Sequence, residues 1–176
     1  MDTSLFIFVQ GAIHIYMLVY LDNILITGTH LFIISSIITK LQAKFPLKDL
    51  GSLHYFLGIQ VTRDTTGLYT CQNKYITNFL HKTYMDGAKP SKSPCSSGSK
   101  LSKHDGETLT DPTIYRQVVG ALQYCTLTMS EIAYSVNQLC QHMHAPSSTH
   151  WVAAKRVLKY LNGTKDHVLH YTKSNL

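Results

Sequence analysis

The segment with the clearest capacity for chemistry is an apolar run, residues 18–28, interrupted by Asp22 and Asn23. The apolar and β-branched residues on both sides predict two strands, and an Asp-Asn pair is typical of a tight turn between strands. Such a turn places the Asp22 carboxylate at the tip of a hairpin, where it can ligate a hard cation such as Mg²⁺. By spacing alone, a plain Asp-Asn turn is the preferred interpretation.

The elements around this hairpin predict an α+β fold. Strand patterns cover several stretches, at residues 5–9, 13–20 and 24–27 and in a hairpin of residues 53–63 and 67–71. Helical patterns cover residues 31–45, 73–84, 112–127, 130–143 and 148–161. Residues 87–111 are rich in Ser, Lys, Gly and Pro and predict a linker. Residues 168–171 predict a strand that ends before it finds a partner.

The composition indicates a globular protein with an anionic partner. Hydrophobic residues make up 44% of the chain and charged residues 15%, which argues against disorder. A formal net charge of +6 over 176 residues favours binding to anions, nucleic acid above all. The same charge also fits an ordinary solvated surface, so this interpretation needs support from specific residues.

The cysteines and the N-terminal residues indicate an intracellular protein, in the cytoplasm or nucleus. The cysteines lie far apart, without a C-x-x-C pair, so we expect a reducing compartment and no disulfide framework. The apolar run at residues 12–21 is too short to span a bilayer, and no basic residue precedes it as in a signal peptide. We therefore expect no membrane association.

A second cluster of possible metal ligands comprises Cys140, His142, His144 and His150. Cys140 and His144 are four residues apart and would share one helix face. His142 would then point elsewhere, and Pro146 lies between His144 and His150. A polar helix end without a metal is the preferred interpretation.

Residues 20–23, Tyr-Leu-Asp-Asn, resemble the Tyr-x-Asp-Asp box of reverse transcriptases. Further blocks resemble successive landmarks of the copia-type retrotransposon Pol polyprotein, in the same order, at residues 44–51, 54–59, 72–76, 111–116, 119–124, 132–134, 150–151 and 158–164. The resemblance covers nearly the whole chain. It implies the RNA-directed DNA polymerase, a nucleotidyltransferase, of a transposable element.

This resemblance implies a partial polymerase palm, an antiparallel sheet with helices, followed by a helical thumb or connection region. Residues 1–86 would form the C-terminal part of the palm, including a primer-grip-like hairpin. Residues 87–111 would be the linker and residues 112–163 the thumb or connection. Residues 164–176 would be the truncated start of an RNase H-like region.

The resemblance also implies two-metal chemistry, in which aspartates hold two Mg²⁺ ions that join a primer hydroxyl to a nucleotide. The family supplies one Asp from an upstream strand, which we expect to be missing here, and two from the box. Asp22 would be the vestigial catalytic residue and metal ligand, and Asn23 occupies the position of the second box Asp. Because an amide carries no charge, we expect no productive Mg²⁺ binding and no polymerase activity from this chain alone.

Nucleic-acid binding without catalysis is an alternative from a different functional class. Lys155, Arg156 and Lys159 would form a basic face on the last predicted helix, beside Trp151. Tyr55, on the primer-grip-like hairpin, is a further candidate for contacting a primer-template. A solvated helix face with Trp151 packed in the core remains open.

A third possibility is a decayed element fragment without a function. The strands at residues 5–9 or 13–19 would then expose a bare apolar sheet edge, since the palm sheet lacks its other strands. Such an edge promotes association, so self-association is expected.

Overall fold

The computed structural model describes residues 4–96 and 101–172. The chain divides into two compact units, residues 1–53 and residues 54–176. Each unit contains its own antiparallel sheet and at least one helix, which confirms the α+β class.

The first unit is a three-stranded meander followed by one helix. Its elements are β1 (Leu5–Gln10), β2 (Ile13–Tyr20), β3 (Asn23–Gly28) and α1 (Leu31–Gln42). The strands pair in the order β1-β2-β3, all antiparallel, as the alternation of β-branched and turn residues predicts. Helix α1 ends at Gln42 instead of residue 45, because Pro46 disfavours helical dihedrals in the residue before it.

The first unit buries little apolar surface. Among its described residues only Ile15 is buried, at 3% exposure. All six residues of β1 are exposed, although five of them are large and apolar. The hydrophobic effect therefore contributes little to the stability of this unit.

The second unit contains the remaining elements. They are β4 (Tyr55–Phe56), β5 (Ile59–Arg63), β6 (Gly67–Cys71), α2 (Asn73–Lys82), α3 (Thr113–Cys125), a 3₁₀ turn (Ser130–Ile132), α4 (Ala133–Cys140), α5 (Ser148–Thr164) and β7 (Leu169–Thr172). The sheet has the order β4-β5-β6-β7, with each pair antiparallel. The expectation that the last strand lacks a partner is wrong, because β7 pairs with β6 from Thr70–Leu169 to Gly67–Thr172.

Helices α2 to α5 share one hydrophobic core. In α3 the buried residues Tyr115, Val118, Val119 and Leu122 follow helical spacing and face the other helices. Tyr115 is almost fully buried, and its hydroxyl donates a hydrogen bond to the Leu139 carbonyl oxygen at 2.8 Å. Within the described parts of the chain, no helix combines the length and apolarity needed to cross a membrane.

The described parts of residues 87–111 are hydrogen-bonded to helix α5 and to its N-terminus. The Ser91 amide donates to the Lys159 carbonyl at 3.1 Å, and the Asn162 side chain donates to the Ala88 carbonyl at 2.8 Å. Thr108 forms an isolated β-bridge with Ser147. Whether this segment separates two functional domains stays a prediction.

Candidate functional site

The β2–β3 hairpin places Asp22 in a two-residue turn. The strand ladder ends at the pair Tyr20–Asn23, which leaves Leu21 and Asp22 as the central turn residues. Leu21 has a positive φ of 51°, the sign that the two-residue hairpin turns of types I′ and II′ require at their first central residue. Such a conformation is uncommon for a bulky residue and costs on the order of 1 kcal/mol or more. The predicted hairpin with Asp22 at its tip is therefore present, but Asn23, predicted to lie in the turn, is the first residue of β3 and pairs with Tyr20.

The carboxylate at the tip is hydrogen-bonded by the residue that follows it. The Asn23 side-chain amide donates to Oδ1 of Asp22 at 2.9 Å, and both residues are exposed. An aspartate at position 23 would offer oxygen ligands there, whereas the amide uses one oxygen of Asp22 as an acceptor. Among residues 4–96 and 101–172, no group of three or more His, Cys, Asp and Glu side chains could hold a metal. The residues present do not by themselves fit a two-cation site.

The β4–β5 hairpin is held at its tip by helix α3. Leu57 and Gly58 form the two-residue turn with φ values of 48° and 80°, the pattern of a type I′ turn. The Tyr124 hydroxyl donates a hydrogen bond to the Leu57 carbonyl oxygen. Tyr55 is 52% exposed, and the Lys74 ammonium lies 5.8 Å from the centroid of its ring. The candidate contact Tyr55 thus lies in an anchored hairpin.

The three predicted basic residues of α5 have different surroundings. The Lys155 ammonium lies 5.8 Å from the Trp151 ring centroid, within the range of a cation–π contact. The Arg156 guanidinium donates to the backbone oxygen of Ser93 at 3.2 Å and to its hydroxyl at 2.9 Å. Lys159 is exposed. Arg156 therefore has a structural role that the sequence did not indicate.

Trp151 is half-buried and packs against the hydrophobic core. This geometry supports the interpretation of Trp151 as a core residue over that of a base-stacking residue. Its indole still contributes an aromatic face to Lys155.

His142 and His150 form a stacked pair at the start of α5. Their ring centroids are 3.8 Å apart, with an angle of 14° between the planes. The Ser147 amide donates to Nδ1 of His150 at 2.9 Å, which forms part of a capping box. Burial and the neighbouring His142 lower the pKa of His150, against smaller opposing effects of the Ser102 backbone and Asp105. These two histidines therefore pack against each other at the start of the helix.

The chain belongs to the reverse transcriptase (RNA-dependent DNA polymerase) family. The family model matches residues 1–97, more than half of the chain. The resemblance to copia-type Pol polyproteins is confirmed, and the chain corresponds to part of a reverse transcriptase of that type.

Two transposon polyproteins among the relatives of the chain agree with this family. The chain is 45% identical over 174 residues to the retrovirus-related Pol polyprotein from transposon RE2 and 46% identical over 174 residues to that from transposon RE1, both of Arabidopsis thaliana. Each match covers 99% of this chain and 12% of the relative, so the chain spans about 12% of their length. An uncharacterized mitochondrial protein of Arabidopsis thaliana is 40% identical over 164 residues, covering 91% of this chain and 66% of the relative. No solved structure matches the chain.

Proposed function

We propose that the chain supplies the second part of the palm and a helical thumb or connection region to a retrotransposon reverse transcriptase. In this proposal residues 1–86 belong to the palm and residues 87–111 are the linker. Residues 112–163 are the thumb or connection, and residues 164–176 begin an RNase H-like region. The family match over residues 1–97 and the turn that presents Asp22 support it. RNA copying would take place inside the cell, in the cytoplasm or nucleus.

The observation that carries this proposal is the Tyr20–Asn23 hairpin with Asp22 in its turn. Nucleotide joining by two metal ions requires several carboxylates around the reacting atoms. Asp22 is the proposed catalytic residue and metal ligand, with Mg²⁺ as the cofactor that the family implies. Because the Asn23 amide carries no charge and hydrogen-bonds to Asp22, we expect no primer extension by this chain alone.

The test is primer extension on an RNA template with Mg²⁺ or Mn²⁺. The chain is assayed alone and mixed with a polypeptide that carries the upstream half of a related palm. We expect no extension by the chain alone. In the mixture, Asn23→Asp should raise the extension rate by about 100-fold, because it restores a charge at the reacting centre.

Asn137→Asp is the matched control, since it makes the same change at an exposed position of α4. It should leave extension in the mixture unchanged. Asp22→Asn should abolish any extension that Asn23→Asp restores. Extension by the unmodified chain alone would contradict the proposed inactivity. A mixture in which Asn23→Asp has no effect would contradict the proposed role of the hairpin.

Nucleic acid, in the form of an RNA or DNA primer-template, is the proposed partner. Lys155, Lys159 and Tyr55 are the proposed contacts, with Arg156 contributing charge from its position beside Ser93. Nucleic-acid binding without catalysis is the second candidate, which the exposed Lys159 favours. Binding that weakens steeply with salt, without any extension in the mixture, would favour this second candidate.

Self-association through the edge of β1 is a further proposal. Every residue of this strand is exposed, and a long apolar edge promotes pairing between chains. Sedimentation at increasing protein concentration tests it. A sedimentation coefficient that stays that of a monomer at all concentrations would contradict it.

A further inference from the structure

A large groove in the second unit lies between residues 85–96 and helices α4 and α5. Its volume is about 1140 Å³, above the range of about 300–1,000 Å³ that is usual for small-molecule sites. The residues of α5 that line it extend from Thr149 to Lys159. At a rise of about 1.5 Å per residue, these positions span about 15 Å, or close to three turns of a helix. The groove therefore has room for a segment of polypeptide.

The lining of the groove is mostly aliphatic. Its apolar residues include Met85, Pro90, Leu101, Leu139, Val152 and Ala153. Val152 is 62% exposed, and Tyr134, the one aromatic residue among the described lining residues, is 65% exposed. A partner that covers these two side chains gains from burial of apolar surface. Nucleic-acid bases stack on aromatic faces, whereas aliphatic walls suit the apolar side chains of a polypeptide.

The charges around the groove favour an anionic partner. The cationic residues that line it are Lys89, Lys155, Arg156 and Lys159. Against them, Asp105 is the one carboxylate among the described lining residues. Lys89 and Lys159 are exposed and lie on different walls of the groove, in the segment 85–96 and in α5. A partner with carboxylates on both sides of an apolar face is therefore complementary in charge.

The wall formed by residues 85–96 is fixed to α5 before any partner binds. The Arg156 guanidinium donates to the backbone oxygen of Ser93 at 3.2 Å and to its hydroxyl at 2.9 Å. The Asn162 side chain donates to the Ala88 carbonyl oxygen at 2.8 Å. Because this wall does not have to be ordered on binding, less free energy is lost on association. Arg156 is thus a positioning residue, and the lysines are left to contact the partner.

We propose that this groove binds an acidic amphipathic helix of another polypeptide. Apolar side chains at helical spacing enter the groove between Tyr134 and Val152, and carboxylates on the flanks of the helix pair with Lys89 and Lys159. The groove thus gives the chain a protein partner, in addition to the nucleic acid proposed above. Lys159 is shared by both proposals, so the bound helix and nucleic acid should compete for it.

The test is the fluorescence anisotropy of a labelled peptide titrated with the full chain. The peptide has about 14 residues, long enough to form a helix, with Leu at helical spacing on one face and Glu on the other. Val152→Asp should weaken binding at least about tenfold, because it removes an apolar contact and adds a charge of the same sign as the peptide. Lys89→Gln/Lys159→Gln should weaken binding about fivefold at low salt and less at high salt, since exposed ion pairs are weak and screened.

Each groove variant has a matched control outside the groove. Val168→Asp makes the same change at a valine that is 53% exposed, and Lys48→Gln/Lys82→Gln removes two exposed lysines. Both controls should bind within about twofold of the unmodified chain, because charges far from the partner are screened. A peptide of the same composition in scrambled order should bind at least about tenfold more weakly, since its apolar residues no longer share a face. Thermal melts check that each variant is folded.

Equal affinity for the amphipathic and the scrambled peptide would overturn the inference. So would a groove variant that binds the peptide as well as its control does. An oligothymidine of the same charge that binds more tightly than the peptide, with the same loss in Val152→Asp, would assign the groove to nucleic acid and overturn the inference too. Primer extension tests the polymerase role separately: its failure leaves peptide binding untouched, and failure of peptide binding contradicts only the present inference.

Discussion

At the scale of single residues, the surroundings of His150 favour its neutral ring. The Ser147 amide donates to its Nδ1, so the proton of the neutral imidazole lies on Nε2. A second proton on Nδ1 would break this hydrogen bond and place a charge against the stacked His142 ring. Asp105 is too weak a counter-charge to offset burial, and the pKa of His150 is therefore lowered.

We predict that this histidine makes the free energy of unfolding depend on pH. Its ordinary pKa is 6.5, and the folded value is lower, so below pH 6.5 the unfolded state binds the proton more strongly. The contribution of His150 to stability is complete above pH 6.5 and is lost as the pH falls through the folded pKa. Urea unfolding at about pH 7.5 and about pH 5.5 measures the difference.

His150→Gln should reduce this pH dependence, because Gln keeps an acceptor for the Ser147 amide and does not titrate. His81→Gln, at an exposed position of α2, is the control and should leave most of the dependence intact. An equal loss of stability on acidification in His150→Gln and the unmodified chain would show that His150 is not responsible.

At the scale of elements, the β4–β5 turn shows how a helix holds a hairpin. Gly58 has a φ of 80°, and a Cβ there would lie 3.4 Å from a ring carbon of Tyr124. The Tyr124 ring also packs edge-on to Tyr75, with centroids 5.0 Å apart. The turn is therefore held by Tyr124 of α3, and Tyr124 in turn packs against Tyr75 of α2.

We predict opposite effects of Gly→Ala at two positions. Gly58→Ala should lower the free energy of unfolding by more than about 1 kcal/mol, because alanine is strained at positive φ. Gly120→Ala should raise it by up to about 1 kcal/mol, since this exposed glycine lies inside α3 and a Cβ there meets nothing within 4 Å. Urea unfolding measures both. A stabilising Gly58→Ala would show that the turn does not keep this conformation in solution.

At the scale of the whole molecule, the two units differ in how much they bury. Among the described residues, the core cluster of the second unit contains 16 buried residues, whereas only Ile15 is buried in the first unit. Local stability follows buried apolar contacts, so the units should open with different free energies.

We predict that hydrogen exchange distinguishes the units in the intact chain. Amides in the middle of α3 and α5 should exchange only by opening of the second unit as a whole. Amides of β1 and β2 should exchange faster, by local opening. Exchange followed by proteolysis and mass spectrometry reports both. Equal protection of β1 and α3 would contradict the expected difference, and strong protection of β1 only at high protein concentration would support self-association.

The sequence alone predicted the elements because their signals are local. Helical and strand periodicity act over a few residues, and so does the preference of Asp-Asn for a turn. The hairpin that presents Asp22 and the helix α3 were predicted in this way. The reverse transcriptase family was predicted from the resemblance of ordered sequence blocks along the chain. The length of α1 differed only at its end.

Only the tertiary structure decided which distant residues meet. Thr70 pairs with Leu169 across two strands, and Arg156 donates hydrogen bonds to Ser93, 63 residues away. The local sequence of each segment does not indicate which distant segment it contacts. Side-chain contacts between remote segments arise from packing of the whole unit, so periodicity and turn preferences determine the elements but not these contacts.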